Sequence, residues 1–238
     1  MTSAARGGTR RAAAVLLAGG SGRRTGSGTN KALLPLGGWP ALAWSVRTVL
    51  DLASVHRLVV VCRAEERADV AEALGPHLGD QDVWLVDGGA ERQHSEKAAL
   101  DVLRADVGTG EVELVAIHDT ARPLATPALW EHVLAAAAEH GGALPALDLP
   151  GLVPADGTTT LPALVGVQTP QAFLARELLQ AYDAAAAGGF VGTDTASVVA
   201  SYSGLTVVTV PGEPTNLKVT WPEDLAVADR LLSDRVRR

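Results

Sequence analysis

The chain has 238 residues, of which 47% are hydrophobic and 20% are charged, and its formal net charge is −7. This length can bury the core of one large α/β domain or two small ones, and the composition excludes extended disorder. The negative charge argues against a general nucleic-acid-binding surface, so we expect no nucleic acid as a partner and only a local anion site.

The first eleven residues are predicted to be a disordered leader. Arg10 and Arg11 precede an apolar run, as in a secretory or twin-arginine signal, but the run ends in glycines and arginines without a small-residue cleavage pattern. No run reaches the ~20 apolar residues of a membrane helix, so no membrane partner is expected. The single cysteine, Cys62, excludes an intrachain disulfide and is typical of a buried residue in a reducing compartment, which favours the cytoplasm.

Apolar runs alternate with helical patterns over residues 12–235, which predicts a single α/β domain with a doubly wound, mostly parallel, Rossmann-like sheet. Gly75 and Pro76 are expected to end the second helix. The predicted strands are 12–17, 58–62, 83–86, 114–117, 143–146, 165–167 and 205–210. The predicted helices are 41–52, 65–74, 92–103, 127–140, 175–187, a short one after Asp194, and 222–232.

Residues 146–160 break this pattern, because they are rich in Pro, Gly, Asp and Thr and have no helical period. A long excursion from a compact domain is commonly functional, either as a lid or as an arm that packs on a partner subunit. A plain surface insertion is the alternative. We interpret 146–164 as a protruding arm.

Polar clusters follow three of the predicted strands. They lie at 19–24, at 87–95 and at 118–123. Ligands of doubly wound sheets bind at the carboxyl ends of the strands, so these clusters are expected to share one site. Glycine backbone with Arg24 and Lys31 suits a polyphosphate, although a simple strand-to-helix turn is the alternative. Neither a P-loop nor a dinucleotide fingerprint is present.

Six motifs follow one another over residues 12–230. They are Leu-Ala-Gly-Gly-Ser-Gly-Arg-Arg (17–24) with Lys31, Val-Asp-Gly-Gly-Ala-Glu-Arg (86–92) with Ser95, His-Asp-Thr-Ala-Arg-Pro (118–123), Thr-Pro-Gln (169–171), Thr-Asp-Thr-Ala-Ser (193–197) and Asn-Leu-Lys-Val-Thr-Trp-Pro-Glu-Asp-Leu (216–225). In this order they resemble the motifs of the 2-C-methyl-D-erythritol 4-phosphate cytidylyltransferase (IspD) family, which belongs to the non-mevalonate isoprenoid pathway. The resemblance implies a nucleotidyltransferase fold.

The resemblance also implies a reaction and its participants. The phosphate of the acceptor alditol attacks the α-phosphorus of CTP and pyrophosphate leaves, with Mg²⁺ held mainly by the phosphates of CTP and no protein metal site. Arg24, Lys31 and Lys218 would be catalytic, the first two by stabilising charge on the α-phosphate. A homodimer formed through the arm is expected. The nucleotide would be held by Ala18, Gly19, Gly20, Ser21, Gly88, Gly89 and Ser95, and the acceptor by Asp119, Arg122, Thr193 and Lys218.

Several of these residues also have a structural interpretation. Asp119 is a candidate helix cap, with Arg122 as its ion-pair partner. His118 is interpreted as an orienting residue, because an anionic phosphate needs no base to attack. The five tryptophans are scattered and are interpreted as core. Asp87, Glu91 and His94 share one loop, but their spacing does not make a compelling metal site.

The chain departs from the family pattern in two regions. Asn30 stands where the family has proline, so the first loop is expected to be less rigid, and Glu96 and Lys97 are expected to place charges beside the nucleotide loop. In the arm, Leu149 and Leu161 stand where the family has threonine and arginine. The nucleotide half of the site therefore looks intact, whereas the acceptor half has lost a hydroxyl and a charge.

Three functions remain open at this point. The first is the family reaction with a divergent arm. The second is cytidylyl transfer to another alditol phosphate or phosphonate. The third is nucleotide binding without catalysis, against which the presence of Arg24, Lys31 and Lys218 counts.

Overall fold

The structure is a computed structural model that describes residues 10–20, 30–149 and 164–236. The strands in these ranges are β1 (Ala12–Leu17), β2 (Pro35–Leu36), β3 (Trp39–Pro40), β4 (Val55–Cys62), β5 (Trp84–Asp87), β6 (Leu114–Asp119), β7 (Gly141–Asp148), β8 (Val165–Val167), β9 (Gln171–Leu174) and β10 (Thr206–Pro211). The α-helices are α1 (Ala41–Leu50), α2 (Arg67–Leu78), α3 (Arg92–Thr109), α4 (Pro127–His140), α5 (Ala175–Ala187), α6 (Thr195–Tyr202) and α7 (Pro222–Val236).

The central sheet has the strand order β10-β7-β9-β6-β1-β4-β5, and β8 pairs with β7. The pairs β1–β4, β1–β6, β4–β5 and β7–β10 are parallel, whereas β9 is antiparallel to both β6 and β7. The carboxyl ends of β1, β4, β5 and β6 therefore lie along one edge. The predicted mostly parallel α/β fold is confirmed.

The two faces of the sheet bury separate cores. In β1, Ala12, Ala14 and Leu16 contribute to a cluster with α1, α2 and α4, while Ala13 and Val15 contribute to one with α3, α5 and α6. Successive side chains of a strand point to opposite faces, so a strand covered on both sides needs an unbroken apolar sequence. This requirement explains the continuous apolar runs and gives three layers, helices–sheet–helices.

A third, smaller core attaches the last helix. Leu232 and Ala228 of α7 pack with Leu36, Leu124 and Val219. The segment that precedes α7 is thereby held over the end of β6, where the backbone N–H of Val219 donates to the carbonyl of Ala121 at 2.8 Å.

Most predicted elements are found, and β1, α4 and α5 have the predicted bounds. The expectation that Gly75 and Pro76 end α2 is wrong, because the helix continues to Leu78 and ends at Gly79. Pro76 lies in the last turn, where its missing N–H removes only one hydrogen bond. The sequence prediction also misses β9, a four-residue strand that starts at the buried Gln171.

The arm has a β-ribbon at its base. β7 extends to Asp148 and pairs antiparallel with β8, and the N–H of Leu149 donates to the carbonyl of Leu164 at 3.1 Å. Leu149, Leu164, Val165 and Val167 expose 40–44% of their surface on this ribbon. Residues 150–163, including Leu161, lie outside the described residues.

Several remaining predictions concern the chain's start, its membrane relation and its tryptophans. Residues 1–9 of the predicted leader lie outside the described residues, whereas Arg11 is held by Glu111 at 2.8 Å.

Within the described ranges, no helix combines the length and apolarity needed to cross a bilayer. Trp130 is a core residue as predicted, but Trp84 and Trp221 are 37% and 55% exposed, so the interpretation as core is wrong for these two.

Candidate active site

A cavity of about 310 Å³ opens at the carboxyl ends of β1, β5 and β6. All three of the polar clusters that the sequence places after strands reach it, and so does the segment before α7. Its lining includes Gly19, Gly20, Asn30, Lys31, Gly89, Arg92, Ser95, Asp119, Thr120, Lys218 and Thr220. The sequence prediction that these segments share one site is supported by this convergence.

Both predicted catalytic lysines line the cavity. The Nζ of Lys31 donates to the carbonyls of Thr220 at 3.0 Å and Val219 at 3.3 Å. The Nζ of Lys218 lies 2.6 Å from Oδ2 of Asp119. Two ammonium groups from opposite ends of the sequence therefore border the same space, while the third predicted catalytic residue, Arg24, lies outside the described residues.

Asp119 sits at the end of β6 between two cations. Its Oδ1 is 3.2 Å from Nη2 of Arg92 and its Oδ2 binds Lys218. Burial alone would raise the pKa of Asp119, but the charges of Arg92 and Lys218 outweigh it and hold this pKa well below its ordinary range. The carboxylate is thus charged in the folded protein, and its hydrogen bonds go to side chains rather than to a helix end.

Arg122 does not form the ion pair with Asp119 that the sequence suggests. Its guanidinium donates instead to the backbone carbonyls of Asn216 at 2.7 Å and Val167 at 3.2 Å. Burial lowers the pKa of Arg122, against the opposing effect of Asp119. Arg122 is not among the cavity-lining residues, and it connects the segment before α7 to β8. Its predicted acceptor contact stays a prediction.

Thr193 is exposed and is also not among the residues that line the cavity. The reason is local: Asp194 caps α6, accepting from the N–H of Ser197, and the first residue turned inward is Thr195. The Oγ1 of Thr195 lies 3.3 Å from Nη1 of Arg92. The predicted contact of Thr193 with the acceptor stays a prediction.

The four glycines that are predicted to bind the nucleotide fall into two groups, which differ in the space around them. Among the described residues, a Cβ at Gly19 or Gly20 would meet nothing within 4 Å, so this part of the structure leaves both positions open to a ligand. At Gly88 it would lie 2.8 Å from Oγ of Ser95, and at Gly89 only 2.3 Å from Cβ of His94. Gly88 and Gly89 are therefore required by packing against the start of α3, whatever the ligand.

Ser95 and Ala18 shape the same region through the backbone. The Oγ of Ser95 accepts from the N–H of Gly89 at 3.1 Å, which fixes the loop after β5. Ala18 is buried and is not among the lining residues; its N–H donates to the carbonyl of Val61. Ser21 lies outside the described residues.

Asn30, which directly precedes Lys31, is held by three side-chain hydrogen bonds. Its side chain is buried, its Nδ2 donates to the carbonyl of Ala18 at 2.6 Å and to Glu66 at 2.7 Å, and its Oδ1 accepts from the N–H of Ala32. An asparagine with these bonds replaces the rigidity of a proline by hydrogen bonding. Residues 21–29 of the loop lie outside the described residues, so the expectation of a less rigid loop stays a prediction.

The expectation that Glu96 and Lys97 place charges beside the nucleotide loop is wrong. The side chain of Glu96 is 1% exposed and points into the protein, whereas Lys97 pairs with Asp101 at 2.6 Å and Asp183 at 3.2 Å on the outer side. Consecutive helix residues point in different directions, about 100° apart, so one faces the core and the other the solvent.

His118 is a buried residue of β6 that directly precedes Asp119. Its Nδ1 lies 3.0 Å from Oγ1 of Thr169, and its Nε2 lies 3.2 Å from the carbonyl of Arg122. The carbonyl of Arg122 can only accept, so Nε2 carries the proton of the neutral imidazole and Nδ1 accepts from the hydroxyl of Thr169, whose oxygen also accepts from the N–H of Asp119. Burial lowers the pKa of His118 to about 4. These contacts agree with an orienting role.

Arg92 is one of several lining residues for which the sequence predicted no role in the site. It ends the motif at 86–92 and begins α3, where its guanidinium contacts Asp119. An arginine in the motif was the available signal, but its neighbour in space, Asp119, could not be read from the sequence. Asp87, Glu91 and His94 form no metal site, and no group of three metal-binding side chains is found in the described parts of the chain.

The sequence profile of the family described as 2-C-methyl-D-erythritol 4-phosphate cytidylyltransferase matches residues 12–234. The chain belongs to this family. A curated member from Symbiobacterium thermophilum is 39% identical over 231 residues, which cover 94% of each chain. One from Synechococcus elongatus is 38% identical over 229 residues, 93% of this chain and 96% of that one.

Solved structures agree with the fold of the 2-C-methyl-D-erythritol 4-phosphate cytidylyltransferase family. The crystal structure of that enzyme from Thermus thermophilus is 29% identical, with a TM-score of 0.68 over 91% of this chain and 96% of that one. A 4-diphosphocytidyl-2C-methyl-D-erythritol synthase from Anaerococcus prevotii has a TM-score of 0.79 over 97% of this chain and all of the other, at 23% identity. The resemblance stated from the motifs is confirmed as family membership.

Proposed function

We propose that the protein transfers the cytidylyl group of CTP to 2-C-methyl-D-erythritol 4-phosphate and releases pyrophosphate. One observation carries the proposal at the level of this chain: Lys31, Lys218 and Asp119 meet the glycine backbone of 19–20 in one cavity of about 310 Å³. Family membership, as a cytidylyltransferase, supports the same reaction.

The reaction needs positive charge beside the transferring phosphate rather than a general base, because the attacking phosphate is already anionic. An oxygen of the acceptor phosphate forms a bond to the α-phosphorus of CTP, while the bond from that phosphorus to the bridging oxygen of pyrophosphate breaks. Negative charge builds on the transferring group, and fixed ammonium groups stabilise it. Lys31 is held in place by two backbone carbonyls, so its charge is positioned before the substrate arrives.

The acceptor side is proposed to involve Lys218 and Asp119. In the described structure these two groups neutralise each other at 2.6 Å. An incoming phosphate would share the ammonium of Lys218, which has three donors, while the Asp119 carboxylate offers an acceptor for an alditol hydroxyl. Arg122 and Thr193 would join only if the acceptor extends beyond the cavity.

Mg²⁺, the homodimer and the cytoplasmic location belong to the proposal as well. The described residues offer no dedicated cage of carboxylates, since Asp119 is already paired with two cations, so Mg²⁺ is proposed to enter on the phosphates of CTP. The exposed apolar ribbon of Leu149, Leu164 and Val165 supports docking of the arm on a second copy. The cytoplasmic location is proposed because the reaction consumes CTP, which the cytoplasm supplies.

The test is pyrophosphate release from CTP with a panel of alditol phosphates and phosphonates. We expect release with 2-C-methyl-D-erythritol 4-phosphate, dependence on Mg²⁺, and a dimer by analytical ultracentrifugation. Preference for a different alditol phosphate would replace the acceptor in the proposal, and no release with any acceptor would refute an enzymatic function.

A further inference from the structure

Glu96 is a buried carboxyl group for which the proposed reaction has no direct use. Its side chain is 1% exposed, and its two oxygens accept hydrogen bonds from Nη1 of Arg92, Oγ1 of Thr195 and the hydroxyl of Tyr182. Burying a charged group is costly unless it is paired and fully hydrogen-bonded. Donors from α3, α5 and α6 meet this requirement, so Glu96 is held from three helices.

Arg92 links this buried group to the cavity. Its Nη1 binds Glu96, while its Nε and Nη2 each lie 3.2 Å from Oδ1 of Asp119. The other oxygen of Asp119 binds Lys218 at 2.6 Å. A continuous series of contacts thus runs from Tyr182 in the core, through Glu96, Arg92 and Asp119, to Lys218 at the cavity, with charges of alternating sign.

The geometry of the guanidinium explains why Glu96 matters. Arg92 is planar and presents its N–H groups in a fixed fork, so two carboxylates on different edges fix its orientation as well as its position. Without Glu96, the Nη1 edge would lose its anionic partner in the core. The side chain, which is 27% exposed, would then be free to turn towards the cavity and any phosphate in it.

We propose that Glu96 is a positioning residue, which holds Arg92 against Asp119 and thereby sets the positions of Asp119 and Lys218 towards the acceptor. The proposal rests on the proposed function, in which Asp119 and Lys218 face the acceptor phosphate. Tyr182 and Thr195 are its supports, since each donates a hydrogen bond to Glu96.

The experiment compares steady-state kinetics of the wild-type chain with Glu96→Gln, which keeps the shape and removes the charge. We expect KM for the acceptor to rise about tenfold, because Arg92 loses the anionic partner that orients it against Asp119, and kcat to fall, while KM for CTP changes less than about twofold. Lys97→Gln is the matched control, since it removes the next charge on the same helix from an outward ion pair. It should leave all three parameters unchanged.

A merely structural role for Glu96 would give a different result. Thermal unfolding would move to lower temperature, but the folded enzyme would keep both KM values, and this outcome would overturn the proposal. A parallel rise in KM for CTP and for the acceptor would overturn it too, because the effect would not be confined to the acceptor side.

Tyr182→Phe and Thr195→Val keep the proposal testable if Glu96→Gln does not fold. Tyr182→Phe removes one donor to Glu96 and no contact of Arg92, whereas Thr195→Val removes one donor to Glu96 and also the 3.3 Å contact of Oγ1 with Arg92. A smaller rise in acceptor KM in the same direction is expected in both. Unchanged acceptor KM in both variants would refute the proposal. Failure of the proposed function is recognised separately, because the wild-type chain itself would then release no pyrophosphate.

Discussion

Protonation of His118 is expected to destabilise the fold between pH 6.5 and 4. Burial lowers the pKa of this imidazole from 6.5 to about 4 in the folded protein. In the unfolded chain the imidazole is exposed and titrates near its ordinary value. Between the two values the unfolded state therefore binds more protons than the folded one, so the free energy of unfolding falls as the pH falls.

The magnitude follows from the difference between the two pKa values. A difference of this size corresponds to about 3 kcal/mol, fully present above pH 6.5 and lost by pH 4. Asp119 contributes in a separate window, because the stability from its depressed pKa is lost only as the pH falls below its ordinary value of 3.8. Glu96 acts in the opposite direction, since burial raises its pKa, and a variant is needed to isolate His118.

The assay is urea unfolding of the wild type and of His118→Gln at intervals from pH 7 to pH 4. Glutamine keeps a donor for the carbonyl of Arg122 but does not titrate, so the stability advantage of the wild type should shrink by about 3 kcal/mol over this range. The imidazole signal of His118, followed by NMR, should titrate near pH 4. A constant difference between the two proteins, or an imidazole that titrates near 6.5, would refute the reasoning.

Three further predictions concern the site and the core. Lys218→Met should lower kcat by about 10²- to 10³-fold with little change in melting temperature, since its side chain is 48% exposed; pyrophosphate release measures this, and near-normal turnover would contradict the assigned role. Asn30→Ala should lower the free energy of unfolding by about 1–3 kcal/mol, because it leaves the buried carbonyl of Ala18 without its donor; an unchanged urea midpoint would show that the contacts contribute nothing. Gly142→Ala should cost about 1–3 kcal/mol, because its Cβ would lie 2.7 Å from Phe173, whereas Gly108→Ala, in α3 with open space around it, should stabilise by about 0.5–1 kcal/mol; equal effects at the two glycines would rule out the packing explanation.

The sequence predicts those parts of the fold that depend on local pattern. Unbroken apolar runs identify β1, β4 and β6, because each strand is covered on both faces, and the caps of α4 and α6 lie at Thr126 and Asp194, residue types that favour helix starts. β9 could not be read in this way. It is only four residues long, and its place between β6 and β7 depends on partners far away in the sequence.

In the candidate site, too, some residues could be predicted from the sequence and others could not. Lys31, Asp119 and Lys218 stand in recognisable motifs, and the rule that ligands bind at the carboxyl ends of strands brings them together. The role of Glu96 could not be predicted from the sequence. Its position agrees with the buried face of α3, which also includes Gln93, Leu100 and Leu103, but a charged residue on that face has meaning only once Tyr182 and Thr195 are seen around it.

The contact of Lys31 with the carbonyl of Val219 joins residues 188 positions apart in the sequence. Contacts between such distant residues close a long loop and form late in folding, after the local elements. During synthesis, β1 and Lys31 leave the ribosome early. The contacts of Lys31 with the segment before α7 can form only after that segment and α7 have been synthesised. A nascent chain that already contains the whole central sheet would therefore still lack Lys218 and a finished cavity, and we expect activity to appear only after α7 has packed.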